Sequence, residues 1–519
     1  MTANTIREWT IIVYMAGDNN LSEDMITALK GMKCVANSDN INLIALYDSN
    51  YPPVPIKVYE FSKKIAPAAR GTEVPLKNFE YSILNPCPGD PRREFFKILD
   101  FVPMVIGEFP AEKYGLILSG HSDGIIGRTL LRDENPPISL DVKGLASVLK
   151  RVRPTNEFGK PKKFDLLGFD GCLMNMLEIG YELRRVAKVM VASEGNIPTS
   201  GWNYKEILEA VKGICPLEPS QFAIEIVKQF GDFNEDYDIS GRSVNISACD
   251  LTKVKPLVRA IYRFAEHLLA ILNLLSKEED ESDEITDETR KKKIIREHFI
   301  DCLQLAHLSA QSFMHNQAVD ILDFVLNLLA QSIKRLIEIG YLYDEKFENE
   351  VTKAIIVHLG HLFCDYYEIH RAVGIRRPHE HVDGYIIENR FPGKEYQFST
   401  GASIFFPWTR LALGMVEEQY SHLRFNRWRM WLKLIQKYTN LTCRNQDSDF
   451  TDKLRNTPSV QMGTARFDIS MLAISLYTLF AHKEFVGKEF VGKEFVGKGD
   501  MDAFYSYFSE FRNYNTDFN

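Results

Sequence analysis

The chain has 519 residues, 45% hydrophobic and 25% charged, and a net charge of −8. This is the composition of a globular protein with room for a large core and more than one structural unit, and its charge gives no reason for nucleic-acid binding. No N-terminal secretion signal is read, the late apolar stretch 471–481 is too short to span a bilayer, and eight cysteines without a CxxC pair are not a disulfide framework, so a cytoplasmic protein without membrane or nucleic-acid partners is expected.

Residues 9–15 (WTIIVYM) form a near-continuous apolar run, as a strand buried on both faces does. The run ends in the turn cluster Ala16-Gly17-Asp18-Asn19-Asn20. A helix over 21–32 follows, with Ser22 as its N-cap. Residues 41–47 (INLIALY) give a second strand, and a Pro-containing connection leads to a helix over 92–106. The run 114–119 (YGLILS) then delivers Gly120 and His121, and the run 164–169 (FDLLGF) delivers Asp170, Gly171 and Cys172. A helix over 173–186 and a strand over 188–192 (KVMVA) come next. This alternation predicts an α/β fold with a mostly parallel sheet flanked by helices. Helical periodicity dominates 250–370, with helices over 254–275 and 318–337, and 402–406 (ASIFF) reads as one more core strand. The charge block 277–293 reads as a solvated loop. The threefold Lys-Glu-Phe-Val-Gly repeat of 483–497 reads as an exposed tail, with a partner-binding tail as the alternative.

The chemistry gathers at two strand ends, where open α/β sheets bind ligands. A thiol protease needs a nucleophile, a base and donors for the oxyanion. Cys172 lies at a predicted strand-to-helix junction, so its Sγ is expected over a helix N-terminus, whose partial positive charge favours thiolate. His121 can take the thiol proton and return it to a leaving amine. The backbone N–H groups of Cys172 and of Ser122 are available to an oxyanion. The competing reading of each residue alone is an inert core cysteine and an ordinary histidine.

Several segments in order resemble the clostripain-like family of cysteine peptidases, which shares the caspase-type fold. They are WTIIVYMAGDNNL, PAEKYGLILSGH, FDLLGFDGCLMNMLEIGYEL and VASEGNIPTSGWNY, with NISACDLTKV, AVDILDFV and GASIFFP further on. The likeness runs over about 9–440. It implies a catalytic dyad of His121 and Cys172, oriented by Asp18 or Asn19, in an endopeptidase that cleaves after arginine or lysine. It implies that Asp170 holds the basic side chain, a role that suits a carboxylate facing a guanidinium. Glu194 and Trp202, after the fifth strand, are expected to wall the same pocket. Family members usually carry glycine after the histidine, where this chain has Ser122 and then Asp123, so a binding scaffold without activity stays open. Self-processing at Arg128, Arg132 or within 151–163 is a further implication. The charge block, the helical region and the C-terminal tail leave open a rival reading: a form kept dormant until a regulatory protein partner or ligand opens its site, with one dedicated protein as substrate. Calcium enters by resemblance only, since no EF-hand pattern is present.

The resulting layout is a catalytic core over 1–250, a helical region with the late core strand 402–406 over 251–440, and a C-terminal extension over 441–519. His358, His361 and Cys364 fall at i, i+3 and i+6, a spacing open to a metal, but their apolar surroundings favour core packing. His379 and His381 are assigned to a loop. No cofactor is expected.

Overall fold

The computed structural model describes residues 6–34, 40–49, 56–61, 93–125, 130–134, 137–235, 242–274, 287–313, 317–338, 350–374 and 384–444. The charge block before Asp287, the KEFVG repeats, Arg128, His379 and His381 lie outside these residues.

The chain begins with β1 (Arg7–Gly17), α1 (Ser22–Cys34), β2 (Ile41–Ser49), β3 (Lys57–Glu60), α2 (Arg93–Glu108) and β4 (Ala111–Ser119). The hairpin β5 (Leu130–Glu134) and β6 (Pro137–Leu140) leads into α3 (Val142–Arg151), β7 (Phe164–Asp170), α4 (Leu177–Leu183) and β8 (Ala187–Ala192). Next come α5 (Tyr204–Val211), α6 (Pro219–Phe233), β9 (Ile246–Asp250), α7 (Val254–Leu274) and α8 (Asp287–Ser309). Short strands β10 (Ser312–Phe313) and β11 (Ala318–Asp320) precede α9 (Ile321–Glu338) and α10 (Glu350–Val373). The described chain closes with β12 (Ile386–Arg390), β13 (Ser403–Phe405), α11 (Arg410–Ser421) and α12 (Met430–Arg444).

Eight strands form one sheet in the order β12-β9-β8-β7-β4-β1-β2-β3. The five strands from β8 to β2 are parallel to their neighbours, while β3, β9 and β12 add antiparallel edges. The expected α/β fold with a mostly parallel sheet is therefore present. Continuous apolar runs form its centre because both faces are covered. Trp9, Ile11, Val13 and Met15 of β1 pack in one core with α1, α5 and α6, through Met25, Tyr204, Phe222 and Ile226. Successive residues of a strand point to opposite faces, so Ile12 and Tyr14, both fully buried, face the other side, which α2 covers.

Four expectations need correction. Ser22 is the first helical residue of α1 rather than its cap, and its hydroxyl pairs with the Tyr47 hydroxyl at 2.6 Å. The helix expected from Leu173 begins only at Leu177. The late strand β13 is buried, but it pairs with β11 in a separate three-stranded sheet instead of extending the main one. The helical run expected from Ala318 starts with β11, because the Thr400 N–H and hydroxyl bind Asp320 and hold this segment extended beside β13.

The chain divides into two compact units. One runs through Tyr262 and takes in Gln311–Asp323 and Glu368–Gln436; the other comprises Arg263–Ala310, Phe324–Tyr367 and the residues from Lys437. The second unit is helical where described. Within it Phe264 meets Phe324 edge-on, and His307 Nδ1 lies 2.8 Å from the Tyr438 hydroxyl. His361 stacks on His267 at 4.7 Å, and His267 Nδ1 lies 2.5 Å from Asp365 Oδ2. Among the described residues no group of three or more His, Cys, Asp or Glu side chains is arranged to hold a metal ion, calcium included.

Gly168 sits in mid-β7 because Trp202 lies against the strand there. A Cβ at Gly168 would come 2.7 Å from the Trp202 ring. Gly168→Ala is expected to cost about 1–3 kcal/mol by overpacking, read as a lower urea midpoint with an unchanged m-value.

Candidate active site

The geometry follows from strand register. β4 and β7 are adjacent and parallel, and Ser119 pairs with Asp170. The Gly120 N–H donates to the Asp170 carbonyl at 3.1 Å, which carries the pairing one residue past the strand end. His121 and Cys172 each lie two residues beyond this matched pair, so they leave the sheet at the same level. β1 is the other neighbour of β4, and its C-terminal turn reaches the same edge.

That turn supplies the partner of the histidine. His121 Nε2 lies 2.6 Å from Asn20 Oδ1. With Nε2 donating to this oxygen, the neutral ring keeps its lone pair on Nδ1. Neither residue first expected in the orienting role takes this contact. Asn19 spends its amide on the Ala16 and Arg132 carbonyls, and its Oδ1 accepts from the Leu21 N–H, so it shapes the turn. Asp18 is buried. Three polar residues in a row look alike in sequence, and only the turn decides which of them faces the ring.

Cys172 is half-buried. Its Sγ accepts from the Ile197 N–H at 3.4 Å. The next residue, Leu173, holds φ at 60°, a left-handed conformation that is costly outside glycine. Burial of the Leu173 side chain and its N–H bond to the Gly195 carbonyl at 3.0 Å hold it there. This turn delays α4 to Leu177, so Cys172 does not open that helix. Burial instead pushes the Cys172 thiol above its usual pKa, and the charges of Asp123 and Asp170 push the same way, against the Ile197 N–H. The thiol therefore depends on a base.

Ser122 is buried, and its hydroxyl donates to the Cys172 carbonyl at 2.5 Å. The serine that replaces the expected glycine thus ties the histidine turn to the cysteine turn. Its backbone is bridged to Leu130 through bonds of its flanking residues, among them Leu131 N–H to the His121 carbonyl. Among the described residues the N–H groups of Ser122 and Cys172 donate to no protein acceptor, which leaves both for a ligand oxygen.

Asp170 is the last residue of β7. It is buried and accepts from the Trp202 N–H at 3.0 Å, the Tyr204 hydroxyl at 2.9 Å and the Ser119 hydroxyl at 3.1 Å. Burial raises its pKa to about 6 against the pull of these three donors. Gly201 closes on it at φ +63°, where a Cβ would lie 2.7 Å from Asp170 Oδ1. Trp202 is 2% exposed and holds Asp170 through its N–H, and Glu194 is fully buried. The Glu194 carboxylate accepts from Asn245, from the Ser399 hydroxyl and from the Gly401 N–H. Both were expected as pocket walls; both are supports whose functional atoms are turned into the protein. Arg132 and Lys160 are exposed.

Asn20→Ala is expected to lower kcat by up to roughly 100-fold, the scale of a misplaced catalytic group. Asn20→Asp is expected to raise the His121 pKa and carry the acid limb of kcat/KM to higher pH, a shift that a purely structural role would not produce. Asp123→Asn removes a charge that opposes thiolate. Cys172 alkylation by iodoacetamide, followed by peptide mass spectrometry, is expected to run about two- to threefold faster at fixed pH, with its pH inflection moved downward.

The model described as the clostripain family matches residues 13–435. Clostripain from Hathewaya histolytica is 26% identical over 238 residues, an alignment spanning 40% of this chain and 43% of that relative. Among solved structures, a secreted C11 cysteine protease from Bacteroides thetaiotaomicron bound to an irreversible peptide inhibitor is 15% identical, with a TM-score of 0.48 over 82% of this chain and 99% of its own. An inactive zymogen C11 protease from Parabacteroides distasonis is 16% identical, with a TM-score of 0.47 over 82% and 98%. With its family match extending from β1 into α12 and enclosing both strand ends, this chain belongs to the clostripain family.

Proposed function

We propose that the protein is a cysteine endopeptidase that cleaves after arginine or lysine. The observation that carries this reading is the Ser119–Asp170 register, which ends β4 and β7 together and brings His121 and Cys172 to one sheet edge. His121 Nδ1 takes the thiol proton as Sγ bonds to the substrate carbonyl carbon, and negative charge moves onto the carbonyl oxygen. The N–H groups of Ser122 and Cys172 receive that oxygen. His121 then returns the proton to the amine as the C–N bond breaks, and water hydrolyses the acyl-enzyme.

Asp170 selects the basic side chain. A carboxylate has about four lone-pair sites, and three hydrogen bonds already reach this one. The remaining capacity suits one charge-assisted donor from a substrate guanidinium or ammonium. With a pKa raised by burial to about 6, Asp170 is ionised at neutral pH at a desolvation cost that a cation offsets, which favours basic substrates over neutral ones. Exposed Arg132 and Lys160 are candidates for self-cleavage. A second reading, an enzyme latent until a cut or a partner protein opens it, is favoured by the burial of Asp170 and the raised thiol pKa.

A fluorogenic panel with Arg, Lys, Asp and Leu before the scissile bond tests the assignment. Cleavage after Arg and Lys, lost in Cys172→Ala, is expected; cleavage mainly after Asp would overturn the role of Asp170. A chain cut after Arg or Lys in the wild type and intact in Cys172→Ala marks self-processing, and activity that appears only after that cut marks latency. Asp170→Asn is expected to reduce kcat/KM for basic substrates by at least about 100-fold. Its stability should move the other way at high pH. A folded pKa raised from 3.8 to about 6 gives a contribution present below 3.8 and lost as pH rises through 6. Wild-type stability should therefore fall by of order 2 kcal/mol between pH 4 and 8 through this group, and the Asn variant should lack that fall.

A further inference from the structure

On the first unit, away from the strand ends, five cationic side chains and an indole converge on a cavity of about 190 Å³. Arg184 and Arg185 come from the end of α4, Lys255 and Arg259 from the first turns of α7, and Arg427 and Trp428 from the turn before α12. In a chain with a net charge of −8, this gathering of positive charge does not follow from composition.

Arg184 is held in place. It is 7% exposed, its guanidinium lies 3.5 Å above the Tyr181 ring, and its Nη1 donates to the Tyr181 carbonyl. Its Nε is buried without a hydrogen-bond partner. The remaining cations are solvent-facing, and no ion pair among the described residues involves Arg185, Lys255, Arg259 or Arg427. The adjacent carboxylate, Glu182, accepts from the Arg424 and Phe425 N–H groups and lies 4.0 Å from Arg424 Nε, so it is committed to that turn. Burial lowers the Arg184 pKa; Tyr181 and Glu182 oppose this, and Arg185 and Arg424 add to it.

Four guanidinium forks and one ammonium around a recess match an anion with several oxygens in more than one direction. A monovalent carboxylate would leave most of them unsatisfied. We propose that this cavity binds a compact, soluble anion carrying several phosphate groups, clamped between α4, the start of α7 and the turn before α12. Such a ligand would link segments separated by more than two hundred residues and restrain α4, the helix that follows the Cys172 turn.

Tripolyphosphate is the probe. Calorimetry on the full-length protein is expected to give saturable one-site binding that weakens as salt rises, with a higher melting temperature and altered tryptophan fluorescence from Trp428, which is 53% exposed. The exposed double variant Arg259→Glu/Arg427→Glu is expected to lose at least about tenfold in affinity with an unchanged ligand-free melting temperature. Lys255→Glu is the second variant should the double variant misfold, with a smaller loss expected. Absence of saturable binding to the wild type, or equal affinity in the folded variants, overturns the site. Phosphatidylcholine vesicles doped with a phosphoinositide form the other arm; sedimentation with them alone, without free tripolyphosphate binding, overturns the soluble-ligand assignment.

Discussion

The pairing of β4 with β7 is the constraint from which the rest of the site follows. Two parallel strands in the middle of the sheet, matched at Ser119 and Asp170, fix where both loops begin. Two hydrogen bonds then extend the register past the strands: Gly120 N–H to the Asp170 carbonyl and the Ser122 hydroxyl to the Cys172 carbonyl. A slip of one residue would invert every side chain of β7 across the sheet. The fully buried pattern of β7 makes such a slip costly, because Asp170 would leave its three donors while apolar neighbours lost their faces.

Beyond the strands, buried carboxylates replace regular backbone pairing as the means of holding loops. Glu178 accepts from the Phe405 N–H and the Tyr420 hydroxyl, which joins α4 to β13 and α11. Glu182 receives the turn at Arg424, and Glu194 gathers Asn245, Ser399 and Gly401. Each takes N–H or O–H donors from segments distant in sequence. Each also carries a desolvation cost, visible as a raised pKa at Glu178, Glu182 and Glu194. A buried acceptor with several donors is specific because loss of any one geometry leaves a polar group unpaired.

The sheet was legible because its central strands are near-continuous apolar runs that end in turn residues, as at YGLILSGH and FDLLGFDGC. The helix after the cysteine was misread for a reason that no propensity carries. Leu173 is a good helix former, yet its own N–H binds the Gly195 carbonyl and its backbone turns left-handed. Asn20 was hidden beside Asp18 and Asn19, whose side chains could serve equally well by chemistry. Glu194 and Trp202 read as walls, but both are buried: Glu194 is held by the 399–401 turn two hundred residues away, and Trp202 lies against Gly168 of β7. The serine after His121 reads as a departure that weakens the site, and its hydroxyl instead closes a hydrogen bond between the histidine and cysteine turns.

These particulars bear on how the thiol could react on the proposed reading. Cys172 lies ahead of α4 rather than at its start, and Asp123 and Asp170 both oppose thiolate. The same two charges attract a cationic side chain. A guanidinium seated over Asp170 would offset the field that holds the thiol protonated, while His121, steadied by Asn20, offers its lone pair. A neutral side chain at that position would leave the opposing charge in place. Selection of substrate and ionisation of the nucleophile would then share one electrostatic cause. On that reading, a negative environment that opposes thiolate on its own would become the source of specificity.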